Sequence, residues 1–411
     1  MITYKEAINI LSNSLQPLPA LRMTSEQAHG ILAEDLTSTE EVPRFSNSAM
    51  DGFAVRSLET NGADPDNPLR LVVRGCILAG ELAPEINQKE SCCEIMTGSL
   101  IPTGFDAVIP VEQVEYIEKD GRAFIVINQS VKSGRNVRFS GEDFKPGQVV
   151  AKKGQLLNPH ILMAINVNKI ESVSVYRTPK IGILTTGSEL DTVNKDKNGP
   201  TIPNTNGPFL QSSVRRMGIP CNGMISVGDS SRMILEKIGD LMDLESDIII
   251  ISGGVSAGKA DFVPAALLRL GAEILFHKVW IRPGKPILMA KLPTGQFVFG
   301  LPGNPVSVAV GFRFFVNQAL RILQGQSLEE TIPASNKNEF DKPEKFCFFA
   351  KAQTGYAQSG NLETKILSGQ ESFKVSPFYQ ANSWMIIPEG ENSIKAGEKI
   401  QIMPLHPGEA I

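Results

Sequence analysis

The sequence predicts an α/β domain flanked by β-rich subdomains, with a small β-barrel or sandwich at its C-terminal end. Three observations carry that expectation. Over residues 179–325, continuous apolar strand candidates alternate with helical stretches, the pattern of a largely parallel sheet covered by helices. From 43 to 147, short β-rich runs are broken by Gly, Pro, Asn and Asp at short intervals, which marks an all-β module. Short β runs (KFCFFAKAQ, SWMIIPEG, EKIQIMP) return over 326–411. Residues 1–42 and 148–178 form a helical and linking region around the inserted β-rich part. A chain of 411 residues, at about 150 residues per domain, accommodates this many parts.

The first helix follows from TYKEAINILSNSL, where Ala7, Ile8, Leu11 and Leu15 recur at helical spacing. A second is expected from Thr24 or Ser25, either able to cap, through Ala28, Ile31, Leu32 and Leu36, with Pro17 and Pro19 separating the two. LNPHILMAINVNKIESVSVY reads as a helix running into a strand. In the α/β part the strands are KIGILTTG, GMISVGD, DIIIISGG, ILMAKL and QFVFGLPG. Between and after them GPFLQSSVRRMG, ILEKIGDLMD, FVPAALLRLG and PVSVAVGFRFFVNQALRIL are helical. The unbroken apolar run Ile248–Ile251 belongs to a strand buried on both faces. Ligands of such sheets gather at the carboxyl ends of the strands.

Charge excludes one class of partner. Lysine and arginine number 40 against 44 acids, a net charge of −4, so a general nucleic-acid binder, which needs a basic face, is not expected. No apolar stretch reads as a membrane span, and MITYKEAINI lacks a basic segment followed by an apolar one. The expectation is a cytoplasmic protein without nucleic-acid or membrane partners. The 5 cysteines have no CxxC spacing and the 4 histidines no HExxH, which disfavours disulfides, zinc sites and imidazole-centred triads. Chemistry here falls to carboxylates, lysines and backbone amides.

The sharpest motif is ISGGVSAGKADF at the end of the most apolar strand. Gly253 to Lys259 fits GxxxxGK, but Ala260 replaces the Ser or Thr that would reach Mg²⁺, so this is not a nucleotide phosphate loop. Gly253, Gly254 and Ser256 still offer bare backbone to a bound group. Asp261, Glu189 (ILTTGSEL) and Asp229 (MISVGD) all sit just beyond apolar strands, and three acids converging on one crevice would suit Mg²⁺. Each alone is more often a helix cap or turn residue. In GLPGNPVSV, Pro302, Gly303 and Pro305 lead from a strand into a helix whose free amides would face an oxyanion. HKVWIRPGKP supplies Lys278, Arg282 and Lys285, which a Pro-Gly turn bends toward a common point. In the β-rich half, Asp51 in NSAMDGFAVR, Thr97 in MTGSLIPTG, and Glu142 and Asp143 in SGEDFKPGQ stand in tight turns, ordinary when taken singly.

Taken together, NSAMDGFAVR, MTGSLIPTGFDAVIPVE, RFSGEDFKPGQ, ILTTGSEL, NTNGPFL, SGGVSAGKADF, RPGKP and GLPGNPVSV resemble, in order and across essentially the whole chain, the MoeA family of molybdopterin molybdenumtransferases, related to the E domain of gephyrin. The resemblance implies an elongated homodimer of four subdomains with a molybdopterin-binding-like α/β domain. It implies the last step of molybdenum cofactor synthesis: adenylylated molybdopterin and molybdate, with Mg²⁺, give the molybdenum-bearing cofactor and AMP. It places the cleft between the α/β domain of one subunit and the β-rich part of the other. Asp51, Thr97 and Asp143, with Lys278 and Arg282, match catalytic cleft positions. Gly253, Gly254, Ser256, Lys285, Pro302, Gly303 and Pro305 match the substrate-binding side, and Glu189, Asp229 and Asp261 the metal. A molybdopterin adenylyltransferase is an expected partner. The alternatives are a non-catalytic scaffold like gephyrin's E domain, or the adenylyltransferase step itself. Arg282 stands where many members carry lysine, and Lys345 and Lys351 lie where arginines are common, which leaves an oxyanion contact from the terminal domain open.

Overall fold

The computed structural model describes residues 1–193, 200–256 and 262–409. The chain divides into two compact units, one of residues 22–28 and 34–173, the other of residues 1–21, 29–33 and 174–411.

The first of these is β-rich, as the broken apolar runs predict. Its main sheet orders the strands Ala107–Pro110, Gly52–Val55, Ser91–Ile95, Leu69–Ile77, Arg122–Ile127 and Glu115–Lys119. Phe53, Val55, Leu71, Cys92, Ile109 and Ile125 pack one side of it. The glycine of the MDGF turn is required by backbone contact, because a Cβ on Gly52 would stand 2.0 Å from the Ile109 carbonyl oxygen. The helix Pro159–Val167 is capped by Asn158, whose side chain accepts from Ile161 N.

The second expected helix does not form. Ala20–Thr24 is a strand, and Leu36–Thr37 pairs with Val149–Ala151. Gly30 takes φ +94 and breaks the helical path, so Ala28, Ile31, Leu32 and Leu36 are buried one at a time along an extended chain. The first helix spans Tyr4–Ser14, begun by a reciprocal capping box between Thr3 and Glu6. Ala7, Leu11 and Leu15 enter the main core of the second unit.

At the centre of that unit, Cys221–Val227, Ile181–Thr186, Ile248–Ser252 and Phe297–Leu301 run parallel in that order; Leu288–Lys291 and Glu273–His277 extend the sheet antiparallel. Alternation through Ile248–Ile251 feeds two cores. Ile248 and Ile250 meet Leu210 and Val214 on one face, while Ile249 and Ile251 meet Ile234, Ile238 and Leu241 on the other. The strand is therefore buried on both sides, which is why its sequence does not alternate with polar residues.

One continuous helical stretch, Pro305–Leu323, is by length and composition apolar enough to cross a membrane, contrary to the sequence expectation, yet 89% of its window is buried inside this unit. It contains a π turn at Phe312–Val316. There Arg313, 2% exposed, donates to both carboxylate oxygens of Glu329 at 2.7 Å and to the Pro404 carbonyl at 3.1 Å. Phe314 stacks on Phe349 with centroids 3.9 Å apart, and Tyr4 meets both rings edge-on.

The C-terminal strands close into a barrel. Cys347–Tyr356 pairs with Leu362–Ile366 on one side and Ser383–Ile387 on the other, and Ile332–Asn336 and Lys399–Pro404 complete the ring. Ile281–Arg282 joins the barrel's first long strand through the pairs Ile281 with Cys347 and Arg282 with Phe348.

Phe314→Ala removes a fully buried ring from the contact between helix and barrel. Denaturant unfolding of this unit is expected to lose about 3–5 kcal/mol; a loss below about 1 kcal/mol would contradict the tight packing of this ring between helix and barrel.

Candidate functional site

In a parallel sheet every strand delivers its carboxyl end to one edge. Here those ends are Thr186–Gly187, Val227–Gly228, Ser252–Gly253 and Leu301–Pro302. They are drawn close. Gly253 takes φ +99, and a Cβ there would sit 2.4 Å from the Thr186 carbonyl oxygen and 2.7 Å from its hydroxyl. Gly253 N donates to the Leu301 carbonyl at 3.0 Å. Side chains stitch neighbouring ends together. Asn206 donates to the Ser252 hydroxyl at 2.9 Å and the Gly303 carbonyl at 2.7 Å; Asn204 donates to the hydroxyls of Thr185 and Ser226 at 2.9 and 3.1 Å. The imidazole of His277 lies 2.9 Å from the Val255 carbonyl and fixes the glycine-rich turn from the antiparallel side.

The acids divide at this edge. Asp229 accepts from Ser188 N at 3.1 Å and its own amide donates to the Ser188 hydroxyl at 3.0 Å, so it ties two strand ends together. The Glu189 carboxylate folds over Gly187, whose Cβ would stand 2.8 Å from it. Asp261 lies outside the described residues.

Beyond the strand ends opens a cavity of about 1270 Å³, walled on its other side by the barrel and the loop that follows strand Leu362–Ile366. Glu189, Gly254, Ser256, Arg282, Lys285, Pro302 and Gly303 line it. Gly253, Lys278, Asp229 and Pro305 do not. Gly253 is buried beneath the turn, the Lys278 backbone is left-handed at φ +69, and Pro305 faces a separate apolar cavity with Phe209, Phe312 and Phe378. The helix entered at Pro305 has less free N-H than the motif suggests, because Val306 N donates to the Ser372 carbonyl at 3.0 Å.

Charge in the cavity is mixed. The side chains of Arg282 and Lys365 are exposed within it and have no hydrogen bond or ion pair to another described residue. The Lys285 ammonium lies 5.6 Å from the Trp280 ring. Lys342 also lines it, but its ammonium is held by the carbonyls of Phe346 and Glu391. Glu339, Asp341 and Glu371 add negative charge, and Glu371 is paired with Lys374 at 2.8 Å.

In the β-rich unit, Asp51 Oδ1 accepts from the Thr97 hydroxyl at 2.6 Å and from Thr97 N at 2.7 Å. The hydroxyl first, then the amide, holds the exposed Asp51 carboxyl below the usual range. Two motifs far apart in sequence thus form one device. In the GEDF turn it is Glu142 that accepts from Phe139 N, at 2.9 Å, while the Asp143 side chain is exposed.

Sequence reasoning missed Lys365, the loop from Leu367 to Phe373, and the tethering role of Asn204 and Asn206. Lys365 sits in a run, LETKI, that carries no motif, whereas NTNG could have been recognised from two amides at the start of a helix.

Comparison with known proteins places the chain. Residues 2–167 match the description "MoeA N-terminal region (domain I and II)" and residues 182–322 "Probable molybdopterin binding domain". It is 32% identical over 406 residues to the molybdopterin molybdenumtransferase of Staphylococcus aureus (strain Mu50 / ATCC 700699), covering 98% of this chain and 95% of that protein. The chain belongs to the MoeA family. The molybdopterin molybdenumtransferase of Synechococcus elongatus is equally similar, 32% over 416 residues, with 98% and 100% covered. The crystal structure of the molybdopterin biosynthesis MoeA protein from Pyrococcus horikoshii OT3 superposes with a TM-score of 0.80 at 28% identity, covering 98% of this chain and 99% of that one. This MoeA chain is therefore an enzyme of molybdenum cofactor biosynthesis.

A metal fits only in part what the described residues provide. Among them no group of three or more His, Cys, Asp or Glu side chains could hold an ion. At the sheet edge of the cavity the exposed carboxylate of Glu189, with Asp229 on the adjacent strand end, still matches what Mg²⁺ takes from a protein when substrate phosphates and water supply the rest.

Thr97→Val removes the hydroxyl donor to Asp51. The Asp51 carboxyl, followed by NMR titration, is expected to move up toward the ordinary aspartate value. Because the native value is depressed, the stabilisation it brings is present above the unfolded value and is lost as pH falls through the native one. An unmoved titration would mean that the hydroxyl does not set it. Gly253→Ala places a methyl group against Thr186 and is expected to displace the strand tip and lower thermal stability, read by calorimetry; unchanged melting would refute the tight approach.

Proposed function

We propose that this enzyme inserts molybdenum from molybdate into adenylylated molybdopterin, with release of AMP and with Mg²⁺ as the metal. The observation that carries the reading is a cavity at the carboxyl ends of a parallel sheet, with Arg282, Lys285 and Lys365 facing it and Glu189 on its rim. Molybdate is a tetrahedral dianion, and a guanidinium with two ammonium groups can surround such an oxyanion with charge-assisted hydrogen bonds. Arg282 offers a planar fork and Lys365 an unengaged ammonium. Glu189, with Asp229 behind it, would hold Mg²⁺, which supplies neutralisation of the phosphoanhydride oxygens. The chain's own residues bind and orient: cations fix the oxyanion, and the backbone around Gly254 and Ser256 receives the anhydride. Two thiols of the pterin replace one oxide of molybdate and release one water, and attack of one water on the phosphoanhydride frees AMP, so the two steps balance. Holding both partners in one hollow supplies most of the acceleration.

The same reading includes a homodimer as the working form and an enzyme that adenylylates molybdopterin as the supplier of substrate. The motif matches of Asp51, Thr97 and Asp143 support a part for the β-rich unit; the hydrogen-bonded Asp51 suits a fixed carboxylate rather than a proton carrier.

Arg282→Ala is expected to raise the molybdate concentration for half-maximal AMP release on the order of tenfold or more. The rate at saturating molybdate should change far less. Glu189→Gln should lower that rate while leaving molybdate affinity in place. An unchanged molybdate requirement in the arginine variant would remove the oxyanion from this cavity.

A further inference from the structure

Lys351 stands on the barrel strand Cys347–Tyr356 and is wholly buried, with 0% exposure. It does not line the cavity, so it makes no direct oxyanion contact from the barrel; Lys345 is exposed and does not line it either. The Lys351 ammonium turns beneath the loop that follows strand Leu362–Ile366. It donates to the carbonyls of Gly369 at 2.7 Å and Lys374 at 2.9 Å, with that of Glu371 at 3.5 Å. An ammonium has three protons to give, and here three carbonyls of one short loop receive them. Its backbone extends the grip. Lys351 N donates to Gln370 Oε1 at 2.9 Å, and Gln370 Nε2 donates to the carbonyls of Lys351 and Leu367 at 2.9 and 2.7 Å.

On its other face the same loop forms a wall of the cavity, from Leu367 through Phe373. It also reaches the strand-to-helix turn: Ser372 accepts Val306 N at 3.0 Å on its carbonyl and Asn304 Nδ2 at 2.9 Å on its hydroxyl. A buried lysine charge is costly unless it is paired. Its nearest acid, Glu371, is engaged by Lys374 at 2.8 Å, so what Lys351 stabilises is the loop's inward carbonyls.

We propose that Lys351 is a positioning residue: by gathering the carbonyls of Gly369, Glu371 and Lys374, it holds the loop in the shape that walls the oxyanion pocket. This rests on the molybdate reading given above. Replacing the ammonium by an apolar side chain takes the donor from the carbonyls of Gly369 and Lys374, while that of Glu371 keeps Lys374 N at 3.1 Å, and the loop reorganises to bring the two freed carbonyls to water. Burial pushes the Lys351 ammonium down to about 8, with Glu371 opposing that shift and Lys374 adding to it; the other group packed on it is the Phe378 ring, 5.6 Å away. Deprotonation removes one of three donors, so the grip slackens as pH rises through 8. Global stability does not fall with it. The native value lies below the ordinary lysine value of 10.5, so rising pH between the two favours the folded state.

The test is hydrogen exchange of the 367–374 amides, corrected for intrinsic rates, beside calorimetric titration with molybdate. Both are run on the full chain as wild type, Lys351→Met and Lys351→Arg, on either side of pH 8. The wild-type loop is expected to lose about tenfold in protection on the alkaline side with no drop in melting temperature. Lys351→Met should show the loosened loop at every pH and about tenfold weaker molybdate binding, and Lys351→Arg should keep protection at alkaline pH. Wild-type protection in Lys351→Met overturns the proposal, as does a loosened loop with unaltered molybdate affinity. Should the variants not fold, a wild-type loop indifferent to pH overturns it. A wild type that binds no molybdate at all counts against the molybdate reading instead, and the exchange result then decides the role of Lys351 alone.

Discussion

Backbone against backbone at the ends of parallel strands is the constraint on which the site depends. Where Ser252 ends its strand, the chain must pass within contact distance of Thr186 and still turn away toward the cavity. Only a residue without Cβ and at ease at positive φ can do both, and Gly253 is that residue. Once the strands are gathered this tightly, short amide side chains such as Asn206 can bridge them. The edge then presents Glu189, Gly254 and Pro302 to one hollow.

The barrel contributes the opposite wall, and it does so by burying charge. Lys342 and Lys351 each place an ammonium on backbone carbonyls inside or beneath loops, where burial pushes both below the usual lysine range. Lys365 stays in the open cavity with no partner among the described residues. Of these three lysines, two hold backbone carbonyls and the third faces the cavity. Arg282, on the short strand paired to the barrel, brings its guanidinium to the same space through main-chain pairing.

Much of this was legible in the sequence, and the reasons for success and failure are physical. The buried parallel strand was readable because Ile248–Ile251 leaves no polar face, and the barrel because short β runs resume after residue 326. The expected second helix failed because apolar spacing is silent about Gly30, whose backbone ends any helical path. Of the candidate site, residues in glycine- and proline-rich turns were found, since such turns restrict the backbone visibly. Lys365 and the loop of Gln370 were not, because nothing in a local window shows that a barrel will close against a distant sheet edge. Pro305 fits the first helical turn as expected, yet it faces the neighbouring apolar cavity, since the preceding turn points Pro302 and Gly303 the other way.

The proposed reaction requires one cavity to hold the oxyanion. Anomalous diffraction at the molybdenum edge from crystals soaked in molybdate locates that ion without reference to activity. The predicted result is one strong peak between Arg282, Lys285 and Lys365, within hydrogen-bonding distance of at least two of them. A peak elsewhere on the molecule, with this hollow empty at saturating molybdate, would contradict it.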